Sequence, residues 1–196
     1  MSDGVDLGRR RFLGAATGVT SAVGVAFVAV PFLASWKPSA RAQALGAPVE
    51  VDISKLDMGA MLRVEWRGKP VWVLKRSPEM VERLATADGM VRDPESSEPQ
   101  QPGYASNRHR SIKPEVLVVI GSCTHLGCSP MPRFEVGAAD LGSDWPGGFF
   151  CACHGSKFDL AGRVWRGVPA PLNLVVPPHK YLDESTILVG VDTGAA

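Results

Sequence analysis

All four cysteines of the chain lie in two short stretches, C-T-H-L-G-C from Cys123 to Cys128 and C-A-C-H from Cys151 to His154, and each stretch carries one of the four histidines. Cys123, His125, Cys128, Cys151, Cys153 and His154 thus offer six soft or borderline donors on two loops. Thiolate and imidazole together are ligands for zinc and for iron-sulfur clusters. A tetrahedral zinc site needs only four donors and leaves two unused. A cluster held by four cysteines uses all the sulfur and leaves both imidazoles idle. A mixed cluster with two thiolates and two imidazoles uses four donors, and the remaining two cysteines can then pair with each other.

The two stretches resemble the boxes of Rieske 2Fe-2S proteins, of the kind found in ubiquinol:cytochrome c reductase. The resemblance extends to H-G-S at His154 to Ser156 and to the proline-rich G-V-P-A-P-L-N-L that follows. It implies that Cys123 and Cys151 ligate one iron, His125 and His154 the other, and that Cys128 bonds to Cys153. It implies further that the Ser156 hydroxyl donates to a cluster sulfur and that Gly167 to Pro171 covers the cluster. Many respiratory members carry tyrosine two residues after that serine, where this chain has Phe158. Losing a donor worth about 1 to 2 kcal/mol lowers a one-electron potential by about 40 to 90 mV, so a lower potential than in tyrosine-bearing relatives is expected. Ser156 and Phe158 also have plainer readings, as a turn hydroxyl and as core packing.

These loops need a scaffold, and the composition favours strands. The 196 residues include 21 Gly and 16 Pro but only two Tyr, which suits short strands joined by turns. V-E-V-D-I (49–53), M-L-R-V-E-W (61–66), P-V-W-V-L-K-R (70–76) and E-V-L-V-V-I (115–120) read as strands, with R-G-K as a turn between the second and third. R-V-W-R-G-V (163–168), L-N-L-V-V-P-P (172–178) and T-I-L-V-G (186–190) are expected to add further strands. Ser77, Pro78 and Glu79 open a helix running through Leu84. Residues 93–113 are expected to form a polar surface excursion with His109 solvated, and His179 is structural or exposed. The expected fold class is all-β, and the resemblance implies a Rieske-type antiparallel β-sandwich head over 49–196, with a cluster-binding part at about 120–172, preceded by one transmembrane helix.

That helix is read over 12–36, a stretch from Phe12 to Trp36 without a charged residue. At 1.5 Å per residue it spans roughly 37 Å, enough to cross about 30 Å of hydrocarbon. Residues 1–11 carry Arg9, Arg10 and Arg11, and R-R-x-F-L fits a twin-arginine signal. The charge-free stretch exceeds the apolar core of an ordinary signal peptide, so an uncleaved anchor is expected despite the A-Q-A at 42–44. The arginines keep the N-terminus cytoplasmic, which puts the head in the periplasm of a bacterial inner membrane. Residues 37–48 read as a flexible tether.

The net charge of +1 gives no reason to expect nucleic acid as a partner. The resemblance implies an electron-transfer subunit of a cytochrome bc-type complex, itself dimeric, with cytochrome b, a c-type cytochrome, quinol and membrane lipid as partners. It further implies that His154 receives the quinol proton. Two other readings remain at this stage: the Rieske subunit of another periplasmic oxidoreductase, such as an arsenite-oxidase-like enzyme, and a zinc-stabilised, membrane-tethered binding module.

Overall fold

The computed structural model describes Gly4 and residues 6–191. The chain divides into two units, Met1–Ala44 and Leu45–Ala196.

The first unit is dominated by helix α1, Leu7–Ser35, which begins five residues before the expected Phe12. The cause is Asp6, whose carboxylate caps the helix by accepting the N–H groups of Gly8 (2.9 Å) and Arg9 (3.1 Å). The three arginines therefore sit on the helix. Pro31 lies inside it, and none of its residues is buried. A helix apolar around its whole circumference has no face to turn towards a core, and its length and composition suffice to cross a membrane.

Within 37–48, expected as a flexible tether, Ala40–Gly46 forms a short helix α2. Ser39 starts it, its hydroxyl accepting Ala42 N–H at 3.1 Å and its carbonyl accepting Gln43 N–H at 2.9 Å. The run of alanines, good helix formers, explains why this connector coils locally.

The head contains three antiparallel three-stranded sheets. One orders β1 (Val49–Asp52), β9 (Thr186–Val189) and β8 (His179–Tyr181). The second orders β2 (Met61–Trp66), β3 (Lys69–Lys75) and β4 (Val116–Ile120). The third orders β5 (Met131–Arg133), β6 (Gly148–Cys151) and β7 (Ser156–Asp159). Strands β2 and β3 meet in a two-residue turn in which Arg67 (φ 52°) and Gly68 (φ 68°) both take the left-handed conformation, as a type I′ hairpin requires.

The middle sheet explains the layering. Alternate residues point to opposite faces. Val71, Val73, Val116 and Val118 join Val51, Ile187 and Val189 in one core, whereas Trp72, Leu74, Leu117 and Val119 join Phe149, Phe158, Cys123 and Cys151 in another. Strand β4 is buried along its whole length because both its faces are covered. Each such side chain, taken out of water, contributes about 1.5–3 kcal/mol. Helix α3, Pro78–Thr86, starts at Ser77, whose hydroxyl accepts Met80 N–H, and buries Met80 and Leu84.

Several expectations are corrected. Residues 163–168 form only isolated bridges, Val91 with Trp165 and Phe158 with Val164. Residues 172–178 form no strand. They cross the head by single bonds, including Leu174 N–H to Gly162 O (2.8 Å), Ile120 N–H to Val175 O (2.8 Å) and Val176 N–H to Gln100 O (2.9 Å). The flanking Pro171, Pro177 and Pro178 have no N–H with which to continue a ladder. Nor is the 93–113 excursion superficial: Ser96, Ala105, Arg110 and Ser111 are buried and His109 is half-buried. Polar residues are tolerated there because several of their donors reach backbone carbonyls, such as the bonds that Arg110 donates to Gly162 O and Leu174 O.

Candidate metal centre

The first loop leaves the end of β4, and the second is the turn of the β6–β7 hairpin, closed by the Cys151–Ser156 pair. Both loops are built alike. Gly127 N–H returns to Cys123 O and Gly155 N–H to Cys151 O, each at 2.9 Å. In both, the glycine four residues after the buried cysteine has positive φ (84° and 77°), which lets the chain turn back under its own cysteine. Cys128 O also accepts Cys123 N–H at 2.7 Å. Gly121 marks where β4 becomes the loop; a Cβ there would lie 2.0 Å from the Trp72 ring, so the indole packs directly beneath it.

Cys128 and Cys153 form the disulfide implied by the resemblance and tie the two loops together. The sulfurs of Cys128, Cys151 and Cys153 lie within 4.8 Å of one another. Two of these are bonded to each other and offer no thiolate, so this trio is not itself a metal site. Four donors remain. Cys123 and Cys151 are free and buried, and the His125 and His154 rings meet edge to face with centroids 4.7 Å apart. Burial, then the adjoining Cys123 thiol, pushes the Cys151 thiol above its ordinary pKa in the metal-free protein. Buried His125 Nδ1 has no hydrogen-bond partner among the described residues. An orphaned buried ring nitrogen and two buried free thiols are donors of the kind a metal takes. The donor set therefore fits a mixed thiolate and imidazole cluster.

Exposure differs sharply across the site. Cys123 and Cys151 are inside, His125 is half-buried, and His154 and Cys153 reach solvent. Leu126 beside them is 72 % exposed.

The Gly167–Pro171 segment, with Leu172 that follows it, is fastened to both loops. Ala170 N–H donates to Ser156 Oγ (3.0 Å), and Thr124 Oγ1 donates to Leu172 O (2.6 Å). Arg92 Nη1 holds Pro171 O from behind at 3.1 Å. Ser156 is fully buried. Its oxygen is thus an acceptor for Ala170, and among the described residues nothing takes its proton. Phe158 is a core residue. Sequence reasoning missed Thr124, whose only signal was its place inside the first box. It also missed the 134–147 segment, where Trp145 packs on Trp165 and the Lys157 ammonium lies over both rings.

A β head presenting two sulfur and two nitrogen donors at its tip defines a small iron-sulfur electron-transfer protein. Residues 48–178 match the Rieske [2Fe-2S] domain, and residues 1–39 match the ubiquinol-cytochrome c reductase Fe-S subunit TAT signal. The chain belongs to the Rieske [2Fe-2S] family and, within it, to the ubiquinol-cytochrome c reductase iron-sulfur subunits. It is 63 % identical to that subunit of Allochromatium vinosum over 195 residues, 100 % of this chain and 94 % of the relative. It is 43 % identical to that of Blastochloris viridis, covering 96 % of each. Among solved structures, a chain of a hyperthermophilic respiratory Complex III aligns over 93 % of this chain and 99 % of its own, with 25 % identity and a TM-score of 0.47.

Proposed function

We propose that this protein is the membrane-anchored electron carrier of a quinol:cytochrome c oxidoreductase, accepting one electron from quinol and delivering it to a c-type cytochrome. The observation that carries the reading is the facing pair of imidazoles, His125 and His154, on two disulfide-tied loops that each also hold one buried free thiol. Full-length identity of 63 % to a ubiquinol-cytochrome c reductase iron-sulfur subunit supports it.

Cys123 and Cys151 would hold one iron and His125 and His154 the other. When bound, the cluster supplies a one-electron acceptor whose potential neutral imidazoles raise into the range of about −150 to +300 mV. The protein's own groups do the rest. Buried Cys123 and Cys151 keep the sulfur side out of water, whereas exposed His154 presents the ring nitrogen not used as a ligand. That nitrogen accepts a hydrogen bond from the quinol hydroxyl and then its proton, as imidazole is suited to do near neutral pH. The Thr124 and Ser156 bonds hold the Gly167–Pro171 cover in place and so limit the approach of water. The helix from Leu7 anchors the chain in the bacterial inner membrane, and the arginines at its start leave the head in the periplasm. Cytochrome b contributes the quinol pocket, a c-type cytochrome receives the electron, and the complex is dimeric.

Affinity purification of the full chain from solubilised membranes tests this. It should carry b- and c-type haem with it, and adding quinol should produce the cluster's EPR signal. A chain that carries an EPR-active cluster but co-purifies with neither haem contradicts the assignment to this complex.

A further inference from the structure

Three arginines rank among the most deeply buried side chains of the head. Arg76, Arg110 and Arg163 are each 0 % exposed. All three grip the turn that follows β7. Arg163 Nε donates to Asp159 Oδ2 (2.7 Å), Arg76 Nη1 to Leu160 O (3.2 Å), and Arg110 Nη1 to Gly162 O (3.2 Å) and Leu174 O (2.7 Å).

Their charges are unequally compensated. Arg163 is paired with Asp159 and Asp88. Arg76 meets only neutral acceptors, His109 O, Leu160 O and Ser111 Oγ. Arg110 likewise meets Gly162 O, Leu174 O and Gln101 Oε1. The Nε of both has no hydrogen-bond partner among the described residues. Burial pushes each guanidinium down to about 10, still far above neutral pH, so both remain charged. Asp159 is the one fully buried carboxylate among the described residues. It acts on Arg76 and Arg110 as well, ahead of Glu115 and Asp93, but its hydrogen bond goes to Arg163, so three buried guanidiniums share one buried carboxylate. His109 registers the same positive field: its pKa is held down by burial first, then by Arg76, Arg108 and Arg163. Interring a cation with no carboxylate bonded to it is costly, and this head does it twice.

The location gives that cost a use. Asp159 pairs with Gly148 and Ser156 with Cys151 on the same two strands. At about 3.3 Å per residue, the arginine-held turn begins roughly 10 Å behind Cys151. We propose that Arg76 and Arg110 form an incompletely compensated cationic base beneath the metal loops, which favours the reduced, more negative form of the bound cluster and raises its midpoint potential. The inference rests on the site reading given above. With the guanidiniums beyond that turn and the cluster beyond Cys151, at about 15 Å and an effective dielectric of about 20 to 40, one charge changes the reduction equilibrium about 2.5-fold to sixfold. For one electron that fold-change is about 25 to 50 mV.

EPR-monitored redox titration of the full chain tests it. Arg110→Gln removes a charge and should lower the midpoint by about that amount, while Arg110→Lys keeps the charge and should stay near the wild type. Ser111→Asp removes no arginine but sets a carboxylate where Arg76 Nη2 now donates to a hydroxyl at 2.8 Å, so it should also lower the midpoint. If Arg110→Gln does not fold, Ser111→Asp decides. Unchanged midpoints in Ser111→Asp and Arg110→Gln, or an equal fall in Arg110→Lys and Arg110→Gln, would overturn the charge argument while leaving the site reading intact. A wild-type chain with no cluster signal would overturn both.

Discussion

Phe158→Tyr adds one hydroxyl to a side chain that is 0 % exposed and shares a core with Cys123 and Cys151. Residue 158 lies two beyond Ser156 on β7, so both point to the same face of the hairpin that carries the second loop. Two opposite effects follow. In the cluster-free head the new hydroxyl is a buried polar group without a partner, which costs about 1–3 kcal/mol. With the cluster bound it becomes a second donor on the side of Ser156, favouring the reduced form by about 1 to 2 kcal/mol and raising the midpoint by about 40 to 90 mV. Redox titration followed by EPR, run beside chemical unfolding of the cluster-free head, should therefore show a higher potential and a lower apo stability together. A midpoint that stays put or falls refutes the reasoning, because it means that position 158 does not look towards the cluster.

Asp159→Ala leaves buried Arg163 without its Nε partner and should cost about 3–5 kcal/mol of head stability in urea unfolding. Replacing Cys128 and Cys153 together by serine opens a closure of 25 residues and should cost about 3 to 4 kcal/mol by the same measurement. Arg133 holds Glu135 and Asp140 below the usual carboxyl range, chiefly through its hydrogen bonds to them. Lowered carboxyls stabilise fully above their unfolded values of about 4 and lose that contribution as pH falls through the folded ones. The indole N–H resonance of Trp145, which donates to Arg133 O at 3.0 Å, should thus persist from neutral pH to about 4 and fade below; fading that begins above about pH 5 argues against it.

The strands that could be read from sequence are those with one clear pattern. M-L-R-V-E-W is β2, and E-V-L-V-V-I contains β4, because alternation or an unbroken apolar run survives over five or six residues. Strands β6 and β7 are four residues each, and their residues are also the metal box and the core, so no period is visible. The apolar run at 172–178 has strand composition but prolines in place of donors, and tertiary contacts hold it singly. The 93–113 excursion was misread because buried arginine looks like surface arginine until its carbonyl partners are known. At the site, cysteine and histidine spacing disclosed the donors, since few residue types can do that chemistry. Thr124 and the arginines beneath the loops remained hidden, because their roles depend on residues some 48 to 84 positions away in sequence.

The ligand set proposed for the cluster is two sulfur and two nitrogen side chains. Pulsed EPR of the reduced, full-length protein grown with 15N-histidine reads it out. Hyperfine coupling to two histidine nitrogens is expected in the wild type, with one lost in a cluster-bearing His125→Cys variant. A reduced cluster that couples to no histidine nitrogen, or a wild-type protein that binds zinc and gives no signal, would contradict it.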